Sequence, residues 1–337
     1  SEREETENGL CNTDTMNIPI RIYIWWILLS GLLTVSSAKG QITPSTAFYW
    51  ENPYYINPAF VNTDASAYFS LSARKQWFGL SGSPVTVFGT GTYYWEKYKM
   101  QAGIKLLNDK IGYLNSTDLS FSYAYTLRFR SSFLSMGLSL GYQLQKADRG
   151  DVMIEDETDP ALDNLFGGKK QWNGGLGVEY IVTPSFRIGL STQHLFSFFR
   201  EEASIFGGTN YLYGRYRTRI LGRLYRPSYR TSASPTTYDM EWGLCVKQTA
   251  EAFQVDGVVS FYLNHPTQRE KFQFSLLGRS IGEFGFLAGV KLVSDMKILC
   301  SYDYNIKALK GDARGTFEVI VTYPLFPTKC VADGFRR

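Results

Sequence analysis

The chain has 337 residues, 16% of them aromatic, with 31 Gly and 23 Tyr and a mean hydropathy of −0.19. A helical membrane protein would be far more apolar, although the length alone allows one large β domain or two ordinary ones. Thirty-five Lys+Arg against 31 Asp+Glu leave +4, too weak a bias for a nucleic-acid partner, and none is expected.

Residues 1–15 are charged and polar and read as an upstream extension. From Met16 come Arg21, an apolar run from Ile22 to Val35, and the small residues Ser36, Ser37 and Ala38. That order is a secretory signal peptide over 16–40, too short in its apolar part to be a comfortable membrane anchor, with cleavage expected between Ala38 and Gln41. Residues 41–64 are expected to form an N-terminal periplasmic segment.

Alternation begins after that. In Leu134–Leu144 every even position is apolar or aromatic and every odd one small or polar, and Leu119 to Leu127 repeats the rule. Such a run is a strand with a different solvent on each face. The same pattern marks Phe69–Ala73, Val85–Tyr93, Met100–Leu106, Trp172–Tyr180 and Phe186–Leu190. After an irregular strand near Leu212–Tyr225 it returns in Met240–Val246, Phe253–Phe261, Phe272–Leu276, Phe284–Leu292, Ile298–Tyr304 and Phe317–Tyr323. About fourteen strands over 65–323 predict an all-β fold, a transmembrane antiparallel barrel of the bacterial outer membrane, with lipid outside and a polar lumen. Aromatics near the strand ends fit its interfacial girdles.

Connections 96–99, 129–132 and 181–185 are short; 107–117, 146–171 and 194–210 are longer, the rhythm of periplasmic turns and external loops. Asn115-Ser116-Thr117 is read as loop. Pro324 and Pro327 are expected to end strand pairing, so that 324–337 is a tail.

Several side chains could carry chemistry. Arg215, Arg217 and Arg219 share a strand face near Tyr216 and could bind an acidic or backbone-rich partner segment, or pair internally with lumen acids such as Glu179, Asp239, Glu241, Asp303 and Glu318. Arg74, Gln76 and Trp77 at the end of the first hairpin could seed a protein contact or fold inward. The acidic 146–171 segment lacks the spacing of a calcium loop and reads as a solvated loop. Cys11, Cys245, Cys300 and Cys330 form no metal or redox motif; Cys300 and Cys330 could pair, while free thiols are the simpler reading. His194 and His265 are the only histidines, no nucleophile elbow or phosphate loop is present, and neither enzyme activity nor a cofactor or metal is expected.

Taken in order, Asn57-Pro58-Ala59, Arg74-Lys75-Gln76-Trp77, Gly82-Ser83-Pro84-Val85-Thr86, Asn108 to Gly112, Ser122-Tyr123-Ala124-Tyr125, Asp159-Pro160, Ser301-Tyr302-Asp303-Tyr304, Glu318 and Cys330 resemble the PorP/SprF family of Bacteroidetes outer-membrane proteins. The family's Pro-Arg-Phe after the tail cysteine is here the looser 331–337. The resemblance implies a non-enzymatic component of type IX protein secretion and gliding motility, set in outer-membrane lipid. Its implied partners are periplasmic ring or peptidoglycan-linked components of that system, or the C-terminal sorting domain of a surface adhesin. A passive outer-membrane pore is the alternative.

Overall fold

The computed structural model describes residues 46–62, 65–130, 132–147, 166–199, 207–220, 237–249, 252–265, 268–292, 295–306 and 315–327. The expected extension and signal peptide, the acidic 148–165 stretch, Cys11, Cys330 and the tail beyond 327 lie outside those residues.

Fourteen strands close into one antiparallel barrel. They are β1 (Ala65–Lys75), β2 (Val85–Trp95), β3 (Met100–Ile111), β4 (Leu114–Arg128), β5 (Phe133–Ala147), β6 (Lys169–Thr183) and β7 (Phe186–Gln193). The second half comprises β8 (Thr209–Ile220), β9 (Thr237–Thr249), β10 (Phe253–His265), β11 (Gln268–Arg279), β12 (Glu283–Lys291), β13 (Lys297–Asn305) and β14 (Thr316–Pro327). Each pairs with its sequence neighbours, and β1 closes on β14 with Arg74 opposite Glu318. The period-2 pattern explains the two faces. Phe121, Leu138, Leu190 and Phe274 point outward and stay exposed in the isolated chain, whereas Ser120, Ser139, Ser191 and Ser275 alternate with them toward the lumen. An outward apolar wall around a polar interior is the arrangement lipid demands of a barrel.

The strands are longer than the alternation alone indicates, for a physical reason. β3 and β4 continue through 107–117 to a two-residue turn at 112–113, with Ile111 opposite Leu114. Beyond the lipid belt both strand faces meet water and can be polar. There Asn108 Nδ2 donates to Asn115 Oδ1 at 2.7 Å and to Thr117 Oγ1 at 2.9 Å across the pair. The Asn115-Ser116-Thr117 sequon therefore sits in a strand, not a loop. β8 is regular over 209–220; residues 221–236 lie outside the described residues. β14 runs on through Pro324 to Pro327. Its pairing with β13 ends at Thr322, while pairing with β1 continues to Ala65 opposite Pro327. A proline is tolerated where one strand edge has no ladder to feed.

Residues 46–62 depart most from expectation. Instead of lying in the periplasm, they fill the lumen. Pro53 and Pro58 exclude a strand, and the segment folds as two short 3-10 turns, Phe48–Trp50 and Pro53–Tyr55. Phe48, Tyr55 and Ile56 are almost wholly buried, in one cluster with Phe88, Leu107, Leu299 and Ile320 of the wall. Burying side chains of this size contributes about 1.5–3 kcal/mol each.

Many of its polar groups are met by the wall. Asn52 Nδ2 donates to Ser70 Oγ and Thr90 Oγ1 at 2.7 and 2.8 Å, Tyr49 Oη to Asp256 at 2.7 Å, and Asn57 Nδ2 to Tyr213 Oη at 3.1 Å. The wall also holds the plug's backbone: Ser191 Oγ donates to the Ile56 carbonyl and Gln101 Nε2 to that of Phe60, at 2.7 and 2.8 Å. Gly137 and Gly177, opposite one another in β5 and β6, make the room. A Cβ on Gly137 would lie 2.5 Å from the backbone of Pro58 and Ala59, and one on Gly177 would collide with the Asn57 amide.

Gly137→Val is expected to lower the unfolding midpoint, by about 1–3 kcal/mol as for other overpacked sites. The exposed neighbour Leu138→Val serves as the near-neutral control. Loss of heat-modified gel mobility at lower temperature, or urea unfolding in detergent, measures both; equal midpoints would mean that the plug does not press on this wall.

Candidate functional site

Both ends of the described barrel chain, Ala65 and Pro327, lie at one end, with turns 96–99, 129–132, 184–185, 266–267 and 292–296. Although 221–236 between β8 and β9 also joins strands at this end and the other end has the two-residue turn at 112–113, most connections here are short, as at the periplasmic end of a bacterial barrel. There the plug stops short of the rim, and a cavity of about 420 Å³ opens between its last residues and the strand ends. Phe60, Val61 and Asn62 form its floor. It is blind, because the plug blocks the way onward.

Six cationic and four acidic side chains line this vestibule. β8 supplies the arginines that alternation places on its inner face. Arg215 Nε donates to Glu241 Oε1 at 3.0 Å. Arg217 grips two acids, Asp239 at 2.9 Å and Glu270 at 2.6 Å, and Arg219 Nε lies 3.5 Å from Asp239 nearer the rim. Lys297 reaches Glu51 of the plug at 2.6 Å and Glu270 at 3.8 Å. Between them the Tyr262 ring carries Arg217 4.3 Å and Lys297 5.5 Å from its centroid, geometry in which cation and ring attract. Such pairs add little net stability, because desolvation offsets the Coulomb gain; their effect is to hold the guanidinium groups in fixed directions. Arg187 is held more loosely, 3.7 Å from Glu179 and stacked over Phe60 at 5.7 Å. Arg269 makes no ion pair among the described residues and is exposed.

The sequence-derived candidates separate into three places. Arg215 and Arg217 line the vestibule and Arg219 lies next to them, all three paired with Glu241 or Asp239 as an internal ladder requires. Tyr216 does not join them. It faces the lipid side between Phe186 and Trp242, half exposed, because adjacent strand residues point oppositely. Arg74, Gln76 and Trp77 lie at the other end of the barrel. Arg74 is fully buried and donates 3.0 Å bonds to Asp303 and Glu318, so it presents nothing to a surface partner. Gln76 sits beside it, its amide oxygen within 3.3 Å of Arg74 Nε once turned toward it. Trp77 follows in the 76–84 connection with a positive φ of 53°.

Glu318 also accepts from Ala47 N at 2.8 Å, Ser72 Oγ at 3.0 Å and the Thr46 hydroxyl. Arg279, bonded to Asp303, Glu283 and the Thr46 carbonyl, completes this outer seal.

Sequence reasoning missed Arg187, Arg269, Glu270, Lys297 and Tyr262. They sit at inner or terminal positions of β7, β10, β11 and β13, and only the register shows that these four strands bring them to one mouth.

His194 illustrates the opposite case. It follows β7, with Nδ1 in hydrogen-bond contact with the amides of Gln143 and Asn173 and 3.9 Å from Asp118. The space beside it, about 20 Å³, is large enough for one water molecule and too small for a substrate. Burial pushes the imidazole pKa down to about 4, offset in part by Asp118.

The geometry defines a plugged outer-membrane β-barrel with a blind, charged vestibule. Within that class, the family model for the type IX secretion system membrane protein PorP/SprF matches residues 37–323, and the chain belongs to that family. No curated protein matches it. Among solved structures it is similar to Omp33 of Acinetobacter baumannii at 8% identity and a TM-score of 0.43, covering 79% of this chain and 100% of that one. It is also similar to CdiB of Acinetobacter baumannii at 10% identity and 0.43, covering 77% and 60%. A bacterial polysaccharide outer membrane secretin gives 11% and 0.42, covering 78% and 100%. Likeness at this level carries no functional information.

Two outcomes test this electrostatic layout. Arg74→Ala leaves the buried Glu318 carboxylate without its cation and Asp303 with Arg279 alone, and is expected to cost about 3–5 kcal/mol, read as a lower urea midpoint. His194, with a folded pKa below its unfolded value of about 6.5, contributes stability that is complete above that value and falls as the pH drops toward 4. His194→Gln should flatten the stability–pH curve across that window, and an unchanged curve would contradict the assignment.

Proposed function

We propose that this barrel is a non-enzymatic component of the type IX secretion and gliding machinery that docks a protein at its periplasmic mouth. The partner is a periplasmic ring or peptidoglycan-linked component, or the C-terminal sorting domain of a surface adhesin. The observation that carries this reading is the occupied lumen: residues 46–62 fill the cross-section and leave a charged recess at one end. A conduit needs an open path; a dock needs a shaped end. Cleavage of the signal peptide over 16–40 is part of the same proposal, since export is needed to reach the outer membrane.

Purification of the tagged chain from native membranes is expected to recover secretion-ring proteins or a large adhesin. In planar bilayers the intact chain is expected to give no steady ion current. A barrel that is persistently alone and conducts steadily would replace the dock with a passive pore.

A further inference from the structure

We propose that the vestibule is a receptor for an extended peptide segment that presents a carboxylate, either an acidic side chain or a free C-terminus. This rests on the docking reading above and adds the chemistry that the dock recognises. The recess of about 420 Å³ falls within the roughly 300–1,000 Å³ of ordinary ligand sites. Its cations divide into two kinds. Arg215 and Arg217 are neutralised and fixed by Glu241, Asp239 and Glu270, so they shape the wall. Arg269 is exposed and unpaired among the described residues, and Arg187 touches Glu179 only at 3.7 Å. Those two retain guanidinium N–H groups for an incoming anion, and a guanidinium binds a carboxylate through two parallel hydrogen bonds.

The remaining lining discriminates between anions. Glu51, Glu270 and Asp295 stand in the same recess. They disfavour a phosphate dianion by like-charge repulsion, whereas their oxygens can accept the N–H groups of a peptide backbone. Tyr68 adds aromatic surface for its side chains. A ligand here would also rest on Phe60 to Asn62, the foot of the plug.

The test uses the full chain in detergent and a fluorescent peptide of alternating Glu and Gly, with its Lys-for-Glu counterpart as control. Saturable binding of the Glu peptide, absent for the Lys peptide and weakened by salt, is expected. Arg269→Gln, which orphans no acid, should reduce affinity about tenfold, the loss of one charge-assisted contact, with an unchanged unfolding midpoint. Equal binding of both peptides, no effect of Arg269→Gln together with Arg187→Gln, or displacement by equimolar inorganic phosphate would overturn the assignment. Native co-purification separates the two levels. Partner capture that survives both substitutions removes this site and leaves the dock, whereas peptide binding without any captured partner keeps the site and removes the dock.

Discussion

A polar barrel lumen cannot be left dry and unmatched, and the rest of this structure follows from how that constraint is met. Serine, threonine, glutamine and charged side chains face inward because their strand neighbours must face lipid. Water could satisfy them, as in an open channel. Here residues 46–62 do so, with Asn52, Asn57, Tyr49 and the plug's own carbonyls answering wall groups one by one, while Phe48, Tyr55 and Ile56 bury apolar surface in the centre. Because an unmatched buried polar group costs about 1–3 kcal/mol, the match binds plug and wall into a single cooperative unit.

That unit gives the two ends of the barrel different characters. At the outer end Arg74, Arg279, Asp303 and Glu318 are buried and paired with one another, so their charge is spent internally. At the periplasmic end the plug stops early, and charges that would have been sealed border a recess instead. The distinction between structural and receptive arginines is therefore a matter of depth: the same residue type, on strands of the same barrel, is inert when its donors are all taken and available when they are not.

The wall was legible in the sequence because its signal is local. Leu134–Leu144 declares its two faces in eleven consecutive residues, and fourteen such runs correspond to the fourteen strands. The plug was not legible. Residues 46–61, with prolines at 53 and 58 and aromatics in no regular period, carry neither a strand nor a helix pattern, and the contacts that order them come from β1, β2, β3, β7 and β10. The arginines of β8 announced a polar face, but Arg187 and Arg269 come from strands far away in sequence, and only barrel closure makes them neighbours. Tyr216 shows the limit of reading by composition: its place among arginines in the chain suggested a shared site, and the strand period puts it on the other side of the wall.

The carboxylate of Glu318 links barrel closure to the plug. It belongs to β14, yet its partners are Arg74 and Ser72 of β1 and Thr46 and Ala47 of the plug, so it spans the one junction where the two ends of the barrel sheet must find each other. If the sheet closes with residues 46 and 47 elsewhere, two of the acceptor's contacts are missing at the seam itself. If it closes around them, seam and plug lock together. Closure and threading are thus coupled through one carboxylate, and a chain closed with residues 46 and 47 elsewhere loses two of the hydrogen bonds to Glu318 at the β1–β14 seam.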